Sequence, residues 1–173
     1  MFKTTGAYTR ADYVRLPEGF PAQLVNGWLV KDEAPTYGHQ WLVTRLCRLL
    51  ADLVPLGHLI AAPTDVAIDE HNVFQPDVVV LRRVPAWESS DVGIPLVAFE
   101  VLSKRTARRD RARKTPRLLA AGVEEVWLVD PDAELVEIHH GNGVRIGRGD
   151  DRLTSCAVPG FELIPRTFFE RPT

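Results

Sequence analysis

Long apolar runs are absent from this sequence, and charged residues interrupt each hydrophobic stretch well before the ~18 residues that a membrane-spanning helix requires. The first residues, 1–16, lack the apolar core of a secretory signal peptide. Cysteine is scarce: Cys47 and Cys156 are the only two, and their spacing matches no metal-binding motif. We therefore expect a cytoplasmic protein that carries free thiols and has no membrane partner.

Several motifs that mark enzyme classes are also missing. The chain has no Gly-rich phosphate loop, no zinc-ligand spacing and no serine-nucleophile motif. Its adjacent histidines, His139 and His140, fall in a predicted strand and would point to opposite faces, so they make a poor metal pair. No internal repeat or low-complexity segment is present, and the length predicts a single domain over residues 1–173.

Positive charge is concentrated in one segment, although the whole chain has a formal net charge of −2. Residues 104–117 contain a single acid, Asp110. The basic residues of this segment are Lys104, Arg105, Arg108, Arg109, Arg111, Arg113, Lys114 and Arg117. Such a cluster suggests an anionic partner such as phosphate, and the alternative is an ordinary solvated helix face.

Turn and periodicity signals divide the rest of the chain. Residues 8–16 predict a short helix, which a Pro and Gly stop signal ends. Asn26-Gly27 between two apolar runs predicts a type I′ hairpin, because that turn needs positive φ at both central positions. Leucines recur at helical spacing over residues 38–54, which predicts the longest helix. Residues 135–147 predict a second hairpin.

Residues 78–81 and 96–102 each predict a strand. The second run is apolar on both faces apart from Glu100, a pattern typical of a central strand that is covered on both sides. The order of elements predicts an α/β fold, in which a mixed β-sheet is flanked by helices and hairpins lie near the N- and C-terminal ends.

The basic segment falls in a predicted helix, residues 106–121, which Gly122 would close at its C-terminal end. Pro116 complicates this prediction. Either the proline kinks one continuous helix, or Thr115 caps a second helix in which Pro116 occupies the first position. We favour the kinked single helix.

Two carboxylates stand where carboxylates are rarely tolerated. Asp77 lies at the start of one apolar strand and Glu100 inside another, and a buried charge costs several kcal/mol unless it is paired or holds a metal ion. Neighbouring strands lie about 4.8 Å apart, so two acids on one face could share Mg²⁺. The alternatives are a strand-end cap for Asp77 and a buried ion pair with an arginine for Glu100.

Six stretches carry a resemblance to a known family. They are LPEGFPAQLVNGWLV, HQWLVTRLCRLL, QPDVVVL, LVAFEVLS, RRDRARK and AGVEEVWLVDP. Together they resemble the PD-(D/E)xK nuclease superfamily and, more closely, the Uma2 family of bacterial restriction-endonuclease-like proteins. The resemblance covers most of the chain, with the motifs in the same order.

The resemblance implies a restriction-endonuclease-like core with Mg²⁺ or Mn²⁺ held by Asp77 and Glu100. It also implies hydrolysis of DNA phosphodiester bonds by direct attack of a metal-bound water. The superfamily pattern has a lysine where this chain has Leu102. In this family a lysine on the following helix is thought to substitute, which here is Lys114.

Other residues are auxiliary candidates. Lys114 could pair with Asp110 four residues earlier, Lys104 is the competing lysine, and the alternative for Lys114 is a solvated basic side chain. The arginines expected to engage phosphates are Arg105, Arg108, Arg109, Arg111 and Arg113, which would make binding salt-sensitive.

Three candidates lie before the strand that starts after Asp77. Gln23 occupies a position where the family usually has an acid, and its neutral carbonyl would attract a cation more weakly. His39 opens the long helix and matches a histidine common in the family; it is either a site contact or a polar group at the helix start. Asp65 faces away from Val66, either into the site or into solvent.

The resulting prediction is a metal-dependent endonuclease acting on DNA. The alternative is a catalytically degenerate protein on the same fold that binds nucleic acid or forms oligomers. Gln23, Leu102 and Leu118 favour it, because the family usually has an acid, the superfamily a lysine and the family a tyrosine there. A weaker alternative is a phosphodiesterase acting on small nucleotides. A homodimer is a general prior for soluble oligomers.

Overall fold

The computed structural model describes residues 8–17, 19–31, 34–61, 64–89 and 91–172. The predicted domain, 1–173, therefore extends outside the described residues at both ends. Helix α1 (Arg10–Tyr13) is shorter than the helix predicted over residues 8–16. It begins where the Thr9 and Asp12 side chains cap each other's backbone N–H groups.

The first hairpin is confirmed. Strands β1 (Ala22–Val25) and β2 (Trp28–Lys31) are antiparallel, and both turn residues have positive φ, 53° at Asn26 and 73° at Gly27. Asparagine and glycine tolerate this left-handed conformation better than other residues, so the turn chemistry sets the register of the two strands.

The longest helix, α2 (Tyr37–Leu50), ends four residues earlier than predicted. Thr36 caps its N-terminus by accepting a hydrogen bond from the His39 N–H. After Leu50 the chain turns, and the Val54 N–H still bonds to the Leu50 carbonyl. The apolar pattern over residues 38–54 thus predicted a helix that is too long. Val54 fits the pattern because it is buried, but it lies in a turn after the helix.

The remaining elements follow in chain order. The strands before the basic segment are β3 (Leu59–Ala61), β4 (Val66–Asp69), β5 (Asn72–Phe74), β6 (Val78–Val80) and β7 (Val97–Val101). The basic segment forms α3 (Ala107–Arg109), a π-helical segment (Asp110–Lys114) and α4 (Thr115–Ala120). The last elements are β8 (Glu125–Asp130), β9 (Leu135–His140), β10 (Gly143–Arg148), β11 (Leu153–Thr154), β12 (Glu162–Leu163) and α5 (Pro165–Phe168).

Within the described part of the chain, the strands form three sheets. The largest is mixed, with the order β10-β9-β8-β7-β6-β3, and its β7–β8 pair is parallel. Every residue of β7 is buried, which confirms the predicted central strand. The second sheet has the order β2-β1-β5-β4, and β11 pairs with β12 in the third.

Alternate residues of the large sheet pack against different elements. On one face, α2 contributes Leu42, Leu46 and Leu50 to a core with Val78, Val80, Phe99 and Val101. On the other face, α4 and the second sheet contribute Leu118, Val25 and Phe74 to a core with Val79, Ala98 and Leu102. The helix α2 and the basic helical segment therefore lie on opposite faces of the same sheet, as the period-two alternation of strands requires.

The helix around Pro116 is continuous, and neither sequence alternative describes it fully. The Thr115 N–H and hydroxyl both donate to the Asp110 carbonyl, five residues earlier, so the turn before Pro116 is wider than an α-helical turn. Proline has no N–H to donate, and a widened turn accommodates that missing hydrogen bond without ending the helix.

Gly122 ends α4 as predicted, with φ of 106° and paired hydrogen bonds from Val123 to Leu118 and from Gly122 to Leu119. We expect Gly122→Ala to destabilise the protein by about 1–2 kcal/mol in urea unfolding, because a Cβ disfavours positive φ. Gly38→Ala is the matched control: Gly38 lies in α2 with open space around it. That change should stabilise by about 0.5–1 kcal/mol, and equal effects at both positions would contradict the backbone explanation.

Candidate active site

Asp77 and Glu100 lie opposite each other at the end of the β6–β7 pair. The register pairs Val78 with Phe99, so the next pair outward is Asp77 and Glu100, which share one face of the sheet. The Asp77 Oδ2 also accepts a hydrogen bond from the Val101 N–H at 2.7 Å. Asp77 thus caps the strand end and, at the same time, places its carboxylate beside Glu100.

Glu100 is buried and its partner is Lys114 rather than an arginine. The Lys114 Nζ lies 2.5 Å from Glu100 Oε1 and 3.9 Å from Asp110 Oδ1, and the exposed fractions of the lysine and glutamate side chains are 2% and 6%. The prediction of an Asp110–Lys114 pair agrees with these distances. The alternative of a solvated Lys114 is wrong, because the π-helical segment turns both residues inward.

Leu102 occupies the strand position where the superfamily pattern has a lysine, and the ammonium group near Glu100 comes from Lys114 on the helix instead. Leu102 is buried in the core that contains Leu118, so the position that the superfamily pattern gives to a lysine is filled by an apolar contact. Lys114 instead crosses from the helix to the same carboxylate. The competing candidate, Lys104, is exposed at the rim of the cleft.

The carboxylates and the ammonium group alter each other's protonation. Burial raises the pKa of Glu100 to about 8, although the charge of Lys114 acts in the opposite direction. Burial also acts to lower the pKa of Lys114, but the carboxylates of Glu100, Asp110 and Asp77 outweigh it and hold the pKa above its ordinary value. Three acids, Glu100, Asp110 and Asp77, thus act electrostatically on one ammonium group.

His39 reaches the same site from the other face of the sheet. Its Nε2 lies 3.3 Å from Asp77 Oδ2, and within the described residues its buried Nδ1 has no hydrogen-bond partner. Burial acts to lower the pKa of His39, but the Asp77 carboxylate outweighs it, so the pKa lies above the ordinary value. His39 is therefore in contact with a candidate metal ligand, in addition to lying in the first turn of α2.

Gln23 and Asp65 line the cleft, but protein donors already bond to Gln23 Oε1 and to one carboxylate oxygen of Asp65. The Gln75 N–H donates to Gln23 Oε1 at 2.9 Å. The Tyr13 hydroxyl and the Gln75 amide both donate to Asp65 Oδ1 at 2.9 Å. Gln75, two positions before Asp77, thus bonds to both Gln23 and Asp65. Its place beside the Pro-Asp motif could have suggested this role.

Lys104 and the predicted phosphate-binding arginines other than Arg111 divide into two groups. Lys104, Arg105 and Arg109 line a cleft of ≈ 2130 Å³ whose walls also include Asp77, Glu100 and Lys114. Arg108 and Arg113 are exposed outside that lining.

Arg111 has a different environment from the other predicted phosphate ligands. It donates at 2.7 Å both to Asp130 and to Glu137, so it connects the helix to β8 and β9. No local pattern in the sequence predicts this link, because the two acids lie on strands formed 19 and 26 residues later.

A family model described as "putative restriction endonuclease", Uma2, matches residues 10–166. The chain belongs to the Uma2 family. No curated protein matches it. The crystal structure of a "putative nuclease belonging to DUF820" from Anabaena variabilis is similar over 93% of this chain and 97% of that chain, with a TM-score of 0.79 and 19% identity. That likeness confirms the predicted α/β fold of the restriction-endonuclease type, and Uma2 membership makes the chain a nuclease-family protein.

The described residues contain neither a membrane-spanning helix nor a group of three or more metal-ligand side chains. None of the helices among them combines the length and apolarity that crossing a bilayer demands. Over the same ranges, no three or more His, Cys, Asp or Glu side chains are already gathered around one point that could hold a metal ion.

The site nevertheless fits a hard divalent cation that keeps several waters. Mg²⁺ usually takes one or two carboxylates and completes its shell with water and substrate oxygens. Asp77 and Glu100 are placed as such a pair. Moreover, Glu100 Oε1 receives no hydrogen bond of good geometry among the described residues, despite its 2.5 Å approach to Lys114 Nζ.

Proposed function

We propose that this protein is a Mg²⁺- or Mn²⁺-dependent endonuclease that hydrolyses phosphodiester bonds of DNA. One observation carries the proposal: Asp77 and Glu100 face each other across β6 and β7, with the Lys114 ammonium against Glu100, on the floor of a cleft. Two adjacent acids and a positioned cation are the groups that phosphodiester hydrolysis requires.

Each residue has a role in this proposal. Asp77 and Glu100 would hold the divalent cation. When bound, the cation would polarise a phosphoryl oxygen of the substrate and lower the pKa of a bound water. The Lys114 ammonium stabilises the negative charge that accumulates on the phosphate as the water attacks. Asp110, 3.9 Å from Lys114 Nζ, positions that ammonium, and His39 positions the Asp77 carboxylate.

Phosphates on either side of the cleaved bond would contact the cleft cations. Lys104, Arg105 and Arg109 lie on its lining, next to the acids. Each phosphate contact releases counterions from the nucleic acid, so the affinity should fall as salt rises. Arg111 is left out of this part of the proposal, because it lies outside the cleft lining and pairs with Asp130 and Glu137.

A second candidate is a catalytically degenerate protein that binds nucleic acid without cutting it. The occupied oxygen of Gln23 and the absence of a ready three-ligand group among the described residues favour it. Binding of Mn²⁺ discriminates the two: an intact pair at Asp77 and Glu100 binds the ion, and a degenerate site does not.

The test is hydrolysis of supercoiled plasmid and of circular single-stranded DNA by the wild-type protein. We expect nicking with Mn²⁺ or Mg²⁺, no nicking with EDTA, and no nicking by Asp77→Asn, which keeps the shape of the side chain but removes its charge. Trp87→Ala, an exposed position outside the cleft lining, serves as the purification control. Equal nicking by wild type and Asp77→Asn would contradict the proposal.

The setting of this activity is also part of the proposal. We propose that the chain acts as one nuclease domain in the cytoplasm, as its two unpaired cysteines suggest. We also propose a two-fold homodimer, the commonest symmetric assembly of soluble proteins.

A further inference from the structure

The cleft has two walls of different chemistry. One wall carries aromatic side chains: Tyr37 and Trp41 from the start of α2, and Phe169 from the segment after α5. The other wall carries the cations Lys104, Arg105 and Arg109 from the segment after β7.

The two walls stand on opposite faces of the large sheet. Helix α2 packs on the face that includes Val78 and Val80, whereas α4 packs on the face that includes Val79. Asp77 lies at the end of the β6–β7 pair, and His39 contacts its carboxylate from the side of the aromatic wall. Asp77 therefore lies between the two walls, and Glu100 faces Lys114 on the side of the cationic wall.

The aromatic wall is built as a row. Tyr37 and Trp41 are four residues apart on a helix, so their side chains lie on the same face. Arg45 ties the segment that contains the third aromatic residue to α2: its guanidinium lies 5.8 Å from the centre of the Trp41 ring and donates to the Thr167 and Glu170 carbonyls. The chain between those carbonyls carries Phe169.

Tyr37 is not explained by packing within the protein. It is 74% exposed at the first position of α2, where an aromatic ring contributes little to helix stability. An exposed ring that borders a cleft offers a planar face to a ligand. Nucleic-acid bases stack on such faces only when they are unpaired and separated from their neighbours.

Glu100, Asp110 and Lys114 are too deeply buried for a duplex to reach, and Asp77, which is 18% exposed, is the accessible member of the site. The side chains of Glu100, Asp110 and Lys114 are between 2% and 6% exposed. In duplex DNA the bases are stacked and paired inside two charged backbones, so an aromatic wall finds no base face to contact. A single strand presents bases on one side and phosphates on the other, which matches one aromatic and one cationic wall.

We propose that the cleft binds an unpaired polynucleotide strand, with bases stacked on Tyr37, Trp41 and Phe169 and phosphates on Lys104, Arg105 and Arg109. The preferred substrates are single-stranded DNA and the unpaired regions of flaps, bubbles and frayed ends. This inference rests on the proposed function for the position of the cleaved bond, but the binding mode can be measured separately.

The test measures binding without cleavage. Fluorescence anisotropy of wild-type protein in EDTA compares a labelled oligonucleotide of about 12 nucleotides with its duplex and with RNA of the same sequence. We expect the single-stranded DNA to bind at least about tenfold more tightly than the duplex. Tyr37→Ala should weaken single-strand binding about tenfold, and Tyr37→Phe should restore it, because stacking needs the ring and not the hydroxyl.

Trp87→Ala is the matched control, since Trp87 is 97% exposed and lies outside the cleft lining. Equal or tighter duplex binding, or Tyr37→Ala binding like wild type, would overturn the inference even if metal-dependent cleavage were found. Tyr37-dependent single-strand binding without cleavage by any metal would support the inference and overturn the proposed function. Tighter binding of RNA would support the unpaired strand and overturn DNA as the substrate.

Discussion

Glu100→Gln should lower the rate of DNA cleavage on the order of 10³-fold, measured with excess Mn²⁺ and the same DNA for both proteins. The amide has the shape of the carboxylate but no charge, so it holds a divalent cation weakly. Several kcal/mol of transition-state stabilisation then disappear, which corresponds to a rate loss of that size.

Lys114 keeps a second carboxylate, Asp110, at 3.9 Å when Glu100 loses its charge, so we expect the variant to stay folded. Circular dichroism and thermal melting check the fold, and Mn²⁺ binding by calorimetry should weaken together with the rate. Glu124→Gln is the matched control, because that side chain is half exposed and pairs with Arg82 far along the sheet. Near-normal cleavage by folded Glu100→Gln would show that Glu100 does not carry the chemistry.

Lys114→Met should destabilise the protein by roughly 3–5 kcal/mol in urea unfolding and abolish detectable cleavage. Methionine fills the volume of the buried lysine stem but removes the charge that pairs with Glu100. Breaking a buried ion pair from one side leaves the other charge without compensation, and this dominates the cost. Lys104→Met, at an exposed position, should change stability by less than about 0.5 kcal/mol.

The double variant Lys114→Met/Glu100→Gln distinguishes the cost of an unpaired buried charge from the cost of altered side-chain packing. Because it removes both charges, most of the lost stability should return, while the cleavage activity should not. If the double variant were as unstable as Lys114→Met alone, the loss would reflect the fit of the side chain rather than the unpaired carboxylate.

Local signals in the sequence were sufficient for the elements that frame this site. Asn26-Gly27 set the hairpin turn, Gly122 set the helix end, and the doubly apolar run around Glu100 marked the central strand. Asp77 and Glu100 could be paired because a charge in a buried strand demands a partner. Each of these features depends on residues that are close in sequence to the pattern that predicts it, or on one pair of neighbouring strands.

Other features depend on contacts that no local pattern encodes. His39 meets Asp77 from a helix that packs on the opposite face of the sheet, so the contact follows from the tertiary fold. Strand β5 (Asn72–Phe74) is too short for a period-two pattern, and its place in the second sheet comes from pairing with β1 and β4. The aromatic wall required the segment that contains Phe169 to dock on α2 through Arg45.

The wide turn before Pro116 changes the angular phase of the helix. An α-helix rotates by about 100° per residue, and a turn closed by a bond five residues back holds one residue more than an ordinary α-helical turn. The helix after the turn is thus rotated relative to the helix before it. Asp110 and Lys114 on this segment are buried beside Glu100, and Leu118, one turn further, is buried in the apolar core. A proline that would interrupt an ordinary helix therefore sits where the charged part of the buried helix side meets its apolar part.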